Sequence, residues 1–99
     1  MKENRRKIVA LAKEKNFSPT FVDPIQATDF WWFLWICNLQ RWLREDKLLY
    51  VYCVPNETVL DAWHYKIEVF HTSNDELSRH FLSYDEALEE GLFEALKTI

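Results

Sequence analysis

The chain has 99 residues, 48% of them hydrophobic and 16% aromatic, with a formal net charge of −4. That length makes one domain, since two halves would each be too small to bury a core, and five Trp, seven Phe and four Tyr exclude a disordered chain. The single glycine, Gly91, excludes glycine-rich phosphate loops and dinucleotide fingerprints.

The charge is unevenly placed. Residues 1–15 carry Lys2, Arg5, Arg6, Lys7, Lys13 and Lys15 against Glu3 and Glu14, while residues 75–97 carry seven acidic residues against Arg79 and Lys97. A basic head and an acidic tail can pair within one molecule or between two. Residues 3–15 are expected to form a short helix with Ile8, Leu11 and Ala12 on its apolar stripe. Asn16 is placed to take a left-handed C′ position, with Phe17 packing back on Leu11 or Ala12. Pro19 blocks continuation, and residues 17–27 read as a connector in which Thr20, Phe21 and Val22 form a short extended piece.

Thr28 is the expected N-cap of a second helix from Asp29 to Glu45, with Asp29 favourable in the first turn. Trp32, Trp35, Ile36, Leu39, Trp42 and Leu43 form a wide stripe at helical spacing. From Phe30 to Cys37 the helix is apolar all round, which points to burial on every face or to an oligomer contact. Phe30, Trp31, Phe33 and Leu34 lie off the stripe, and one small sheet with one terminal helix does not cover them all. They are the predicted protein interface, unless the connector and first helix cover them within the monomer.

Lys47–Val54 reads as a strand, Pro55–Thr58 as a turn, and Val59–Phe70 as a second strand. Trp63, Tyr65, Ile67 and Val69 alternate on it with His64, Lys66 and Glu68. The two strands should pair as an antiparallel hairpin. His71–Glu76 reads as a loop, and Leu77–Leu82 as an optional third strand. Ser83-Tyr84-Asp85-Glu86 is a capping box that opens a helix over 83–98. Gly91 lies on the apolar stripe of that helix and is expected to let its backbone approach the sheet. Glu86, Glu89, Glu90, Phe93, Glu94 and Lys97 are expected to face water. Phe93, an aromatic among glutamates, joins the predicted interface. The fold class is α+β in the order α-α-β-β-(β)-α. It is one domain over residues 1–99, a small antiparallel sheet (hairpin or three-stranded meander) with helices packed on one face.

The segments Leu11–Phe17, Leu34–Glu45 (LWICNLQRWLRE) and Ser83–Ile99 (SYDEALEEGLFEALKTI), above all WLRE and SYDEALEEGLFEALK, resemble an uncharacterised family of small proteins from gut Bacteroidetes and their phages and mobile elements. Asn16 stands where that family is expected to carry Gly. The resemblance implies a mobile-element setting and no activity.

No catalytic constellation can be assembled, so the chain is read as a non-enzymatic interaction or accessory protein, a homodimer or the partner of another protein, with no cofactor. Cys37, Cys53, His64, His71 and His80 lack the close spacing of zinc sites, and neither cysteine occupies a helix N-terminus or basic pocket that would activate it. His64 and His80 could face each other across neighbouring strands, but histidines without a task are the commoner case. The longest uncharged apolar run, Phe30 to Cys37, is far short of the roughly 20 residues of a membrane span. With no signal-type apolar region and no disulfide pattern, the expected setting is the reducing cytoplasm. The alternative reading is weak nucleic-acid contact through Arg5, Arg6, Lys7, Lys13 and Lys15, which would be strongly salt-dependent. The helix–meander–helix order is also similar to that of double-stranded-RNA-binding domains. Glutamates on the last helix, where those domains carry lysines, argue against that function.

Overall fold

The structure, a computed structural model, describes residues 2–19, 22–55, 62–69, 72–74, 81 and 83–99. Helix α1 spans Lys2–Glu14 and buries Val9 as well as Ile8 and Ala12, a wider stripe than expected. It ends as its sequence dictates: Asn16 adopts φ 74, Phe17 N–H donates to Ala12 at 2.9 Å, and Asn16 N–H donates to Lys13 at 3.0 Å. These are the two bonds of a Schellman motif. The motif turns the Phe17 ring deep into the core, edge-on to Trp35 at 5.3 Å and tilted against Trp42 at 5.2 Å.

Helix α2, Asp29–Asp46, buries Trp32, Trp35, Ile36, Leu39 and Leu43, the expected stripe except for Trp42, which is half-buried against the core. Thr28 holds the N-cap position in extended conformation, but its side chain makes no capping bond. Asp29, in the first turn, binds Arg5 of α1 instead. The helix stops through Leu48, at φ 54, a left-handed conformation that costs an ordinary residue roughly 1–2 kcal/mol. Strand β1 therefore starts at Leu49, not Lys47, and runs to Pro55.

Strand β2, Trp63–Val69, pairs antiparallel with β1, placing Val51 opposite Ile67 and Cys53 opposite Tyr65. The turn expected after Pro55 and the start expected at Val59 lie outside the described residues. A short strand β3, Thr72–Asn74, pairs with β2 in a segment expected to be a loop. The strand expected at 77–82 lies outside the described residues except for Phe81, which exchanges backbone bonds with Trp63 at 2.8 and 2.9 Å. Strand β1 is an edge of the sheet. Such an edge invites pairing with other chains, but Leu49 and Val51 are buried and Gln40 Nε2 of α2 donates to the Val51 carbonyl at 2.7 Å.

Helix α3, Tyr84–Lys97, begins with Ser83 Oγ accepting from Glu86 N at 3.2 Å. Its stripe Ala87, Leu88, Gly91, Leu92, Ala95 and Leu96 is buried against the sheet and the other helices. Helix α1 lies along α3: Lys7 borders the same hollow as Glu89 and Glu90, and Lys15 Nζ donates to the Ile99 carbonyl at 2.6 Å. The basic head and acidic tail thus meet within one molecule.

Gly91 is where α3 comes closest to the strands. A Cβ there would stand 2.8 Å from Tyr65 Cβ and 3.0 Å from Val51 Cγ1. Neither atom is the free end of a flexible side chain, so relief requires the helix to move. Gly91→Ala should gain about 1 kcal/mol of helix propensity and lose more to overpacking, a net loss of about 1–2 kcal/mol. Urea denaturation would show it as a lower midpoint; an unchanged or higher midpoint would refute the close approach.

Candidate interaction surface at the start of the central helix

Phe30 and Trp31 open α2, and both stand in solvent at 66% and 46% exposure. Their rings pack edge-to-face on each other at 5.6 Å. One residue further, Trp32 is buried. The change follows from helical geometry: Trp32 lies on the stripe that meets the other elements, and its two predecessors point away from it. Phe33 and Leu34 are half-buried, with Phe33 packed on the core.

Phe93 does not belong to this surface. It is half-buried, packs on the core and carries Lys97 Nζ 4.9 Å from its ring centre. The sequence placed it in water because α1 was not expected along that side of α3. Phe93 and Ile8 instead border one small hollow between the two helices.

On the Trp32 side of α2, away from Phe30 and Trp31, runs a cleft of about 290 Å³ between α2 and α3. Trp32, Phe33 and Ile36 supply its apolar wall, Asp85, Glu86 and Glu89 of α3 face them, and Arg5 and Asp29 complete the lining. The Arg5 guanidinium donates to the Ala27 carbonyl at 2.9 Å and to Asp29 Oδ1 at 2.6 Å, and lies 5.0 Å from the centre of a Trp32 ring. Among the described residues its Nε, which is buried, has no hydrogen-bond partner. Trp32 in turn stacks on Trp35 at 5.3 Å and donates its indole N–H to Glu89. Burial pushes the Glu89 carboxyl above the ordinary carboxylate range, with Asp85 adding to the effect, while the Trp32 bond and the Arg5 charge resist it. Glu89, expected to face water, is therefore half-buried. No signal in the linear sequence pairs it with a tryptophan 57 residues away.

Cys37 and Cys53 are both free and half-buried. Burial first, and Asp85 second, push the Cys53 thiol up to about 12 and raise Cys37 as well. Both thiols stay protonated near neutrality, which is the opposite of a nucleophile's environment. His64 is buried; His71 and His80 lie outside the described residues. Among the described residues no group of three or more His, Cys, Asp or Glu could hold a metal ion, and no helix is long and apolar enough to cross a membrane.

Of the five basic residues singled out near the start of the chain, two are engaged within the molecule. Arg5 is held by Ala27, Asp29 and Trp32, and Lys15 by Ile99. Arg6, Lys7 and Lys13 are exposed. Arg6 and Lys13, seven residues apart, lie on one flank; Lys7, next to Arg6, is turned about 100° from it.

Two measurements check these environments. A carboxyl held above its unfolded value binds its proton more tightly in the native state, so stability present at low pH is lost as pH rises through the native value. Glu89→Gln keeps an acceptor for Trp32 and cannot ionise. It should raise Tm more at about pH 7 than at about pH 4, where the wild-type carboxyl is largely protonated. An equal effect at both pH values would mean that Glu89 is an ordinary surface carboxylate. Thiol labelling with an aromatic disulfide reagent at about pH 8 should be slow at both cysteines in the folded protein and fast in denaturant. Rapid native labelling would contradict their protonated, shielded state.

Comparison of the chain with protein-family models, with curated proteins and with solved structures finds no match to any of them.

Proposed function

We propose that the chain is a non-enzymatic interaction or accessory protein that meets another polypeptide through the start of α2. The observation that carries this reading is the pair Phe30 and Trp31, standing in water on a helix whose following turns enter the core. Each such ring hides roughly 150–250 Å² when covered, and aromatic anchors of this kind dominate interface energetics. The homodimer expected from the sequence is one form of this contact, in which the pair covers its own copy across a two-fold axis. A reduced, cytoplasmic setting suits the two free thiols, and an accessory role carried by a phage or mobile element fits the resemblance drawn from the sequence motifs. Nucleic-acid contact through Arg5, Arg6, Lys7, Lys13 and Lys15 has less support, because two of these five cations are engaged within the molecule and the chain is acidic overall.

Multi-angle light scattering across a dilution series, on the wild type and on Phe30→Ala/Trp31→Ala, tests the face. Two exposed rings on an acidic molecule should give weak self-association, seen at about 1 mM and lost at about 10 µM, the range in which small interfaces operate. The double variant should abolish it while leaving Tm nearly unchanged, since exposed rings contribute little to the core. A wild type that stays monomeric throughout would remove the homodimer, and a dimer indifferent to the double variant would overturn the assignment of this face.

A further inference from the structure

We infer that the polypeptide met by the start of α2 is a second copy of this chain, whose own α2 lies antiparallel to the first across a two-fold axis, with Phe30 of each copy over Arg41 of the other. The inference rests on the reading of the α2 start as a contact face, and names both the partner and the direction in which it lies.

Three observations point to a second copy. The first is the layout of the side of α2 turned away from the core. Phe30 and Trp31 are exposed at its start, Leu34 is half-buried below them, and Asn38, Arg41 and Glu45 are exposed further on. Spacings of three and four residues set Leu34, Asn38, Arg41 and Glu45 on one strip that continues from Phe30. The strip carries a ring at one end and a cation towards the other, and the face of an aromatic ring attracts a guanidinium. Phe30 and Arg41 stand roughly 16 Å apart along the helix, and a two-fold axis between them forms both ring–cation pairs at once. A patch that holds both halves of its own contact is what an isologous dimer requires. The second observation is charge. Arg41 Nε binds Glu45 Oε1 at 3.1 Å, and Asn38 Nδ2 donates to the Leu34 carbonyl at 2.8 Å. The strip is therefore neutral, so two copies of a chain of net charge −4 can meet here without opposing like charges. Because Arg41 reaches Glu45 through Nε, the flat face of its guanidinium remains to lie on a ring. The third is area. Covering Phe30 and Trp31 hides roughly 300–500 Å² per copy. With Leu34 and the stems of Arg41 and Glu45 added along the strip, two copies bury about 1,000 Å² in total, the size of a weak but specific contact.

The same strip sets the direction. Parallel helices in register place Arg41 against Arg41 and Phe30 against Phe30, so like charges oppose and neither cation meets a ring. They also set helix ends of the same partial charge side by side, whereas antiparallel helices set opposite ends together. Leu34 and Asn38, midway along the strip, then flank the two-fold axis.

The test mixes isotope-labelled full chain with unlabelled full chain carrying a nitroxide at Asp46→Cys, at about 1 mM total protein, and reads the tryptophan indole N–H signals by NMR. The added cysteine is at an exposed position and takes the label ahead of the half-buried Cys37 and Cys53. In the antiparallel pair the nitroxide at the end of one α2 lies near the start of the other, so Trp31 should broaden more than Trp42. Arg41→Gln should weaken the dimer about tenfold in light scattering, as two symmetric ring–cation contacts predict. Arg44→Gln, on the β1 flank of α2, should leave it unchanged. Broadening of Trp42 above Trp31 would overturn the antiparallel arrangement, and a dimer equally weakened or equally untouched by the two arginine variants would overturn the pairing of Phe30 with Arg41. No broadening at all would exclude a second copy and leave the contact face to a different protein. Broadening that persists in Phe30→Ala/Trp31→Ala, read on Trp42 and Trp63, would overturn the face itself.

Discussion

Trp35 retains 1% of its surface in water and Trp32 retains 5%. Covering those two stacked indoles constrains every other element. Helix α1 must end where Phe17 can stand edge-on to Trp35, and the Schellman turn at Asn16 sets that angle. The sheet and α3 close the remaining sides through Leu49, Val51, Leu88 and Leu92, which share one core cluster with the indoles. A chain this short has few ways to bury so much aromatic surface, and that scarcity makes α2 the axis of the fold.

Trp32 also joins the core to the surface. Its ring faces a guanidinium, its stacking partner is the most enclosed indole, and its N–H ends on a half-buried carboxylate. Arg5 and Glu89 come from the two ends of the sequence and are oppositely charged, so the uneven charge noted in the chain has a structural use: it ties α1 and α3 to the same indole. What remains after that internal pairing is an acidic remainder on the first turn of α3, Asp85 and Glu86.

Much of the architecture was legible in the residues. The α2 stripe, the antiparallel hairpin, the left-handed Asn16, the Ser83 cap and the close approach at Gly91 all follow from local chemistry, and all are present. The exposure of Phe30 and Trp31 was legible because helical periodicity placed them off the stripe. Phe93 and Glu89 were misread because periodicity reports which face of α3 meets the sheet, but not that α1 lies beside Phe93 or that Trp32 of α2 reaches Glu89. Leu48 gave no sign of its conformation either, because leucine has no preference for it.

That last residue changes how the joints of the molecule are understood. Among the described residues the two with positive φ are Asn16 and Leu48, while the lone glycine lies within α3 with φ outside the left-handed region. The residue best suited to a bend has been assigned to a helix interior, where the shortage is of room, and a bulky aliphatic makes the bend at 48 under protest from its own side chain. The corner between α2 and the sheet is therefore not self-supporting. It persists because Leu43 on one side and Leu49 on the other are anchored in the same interior, so that the hinge is shaped by what it connects.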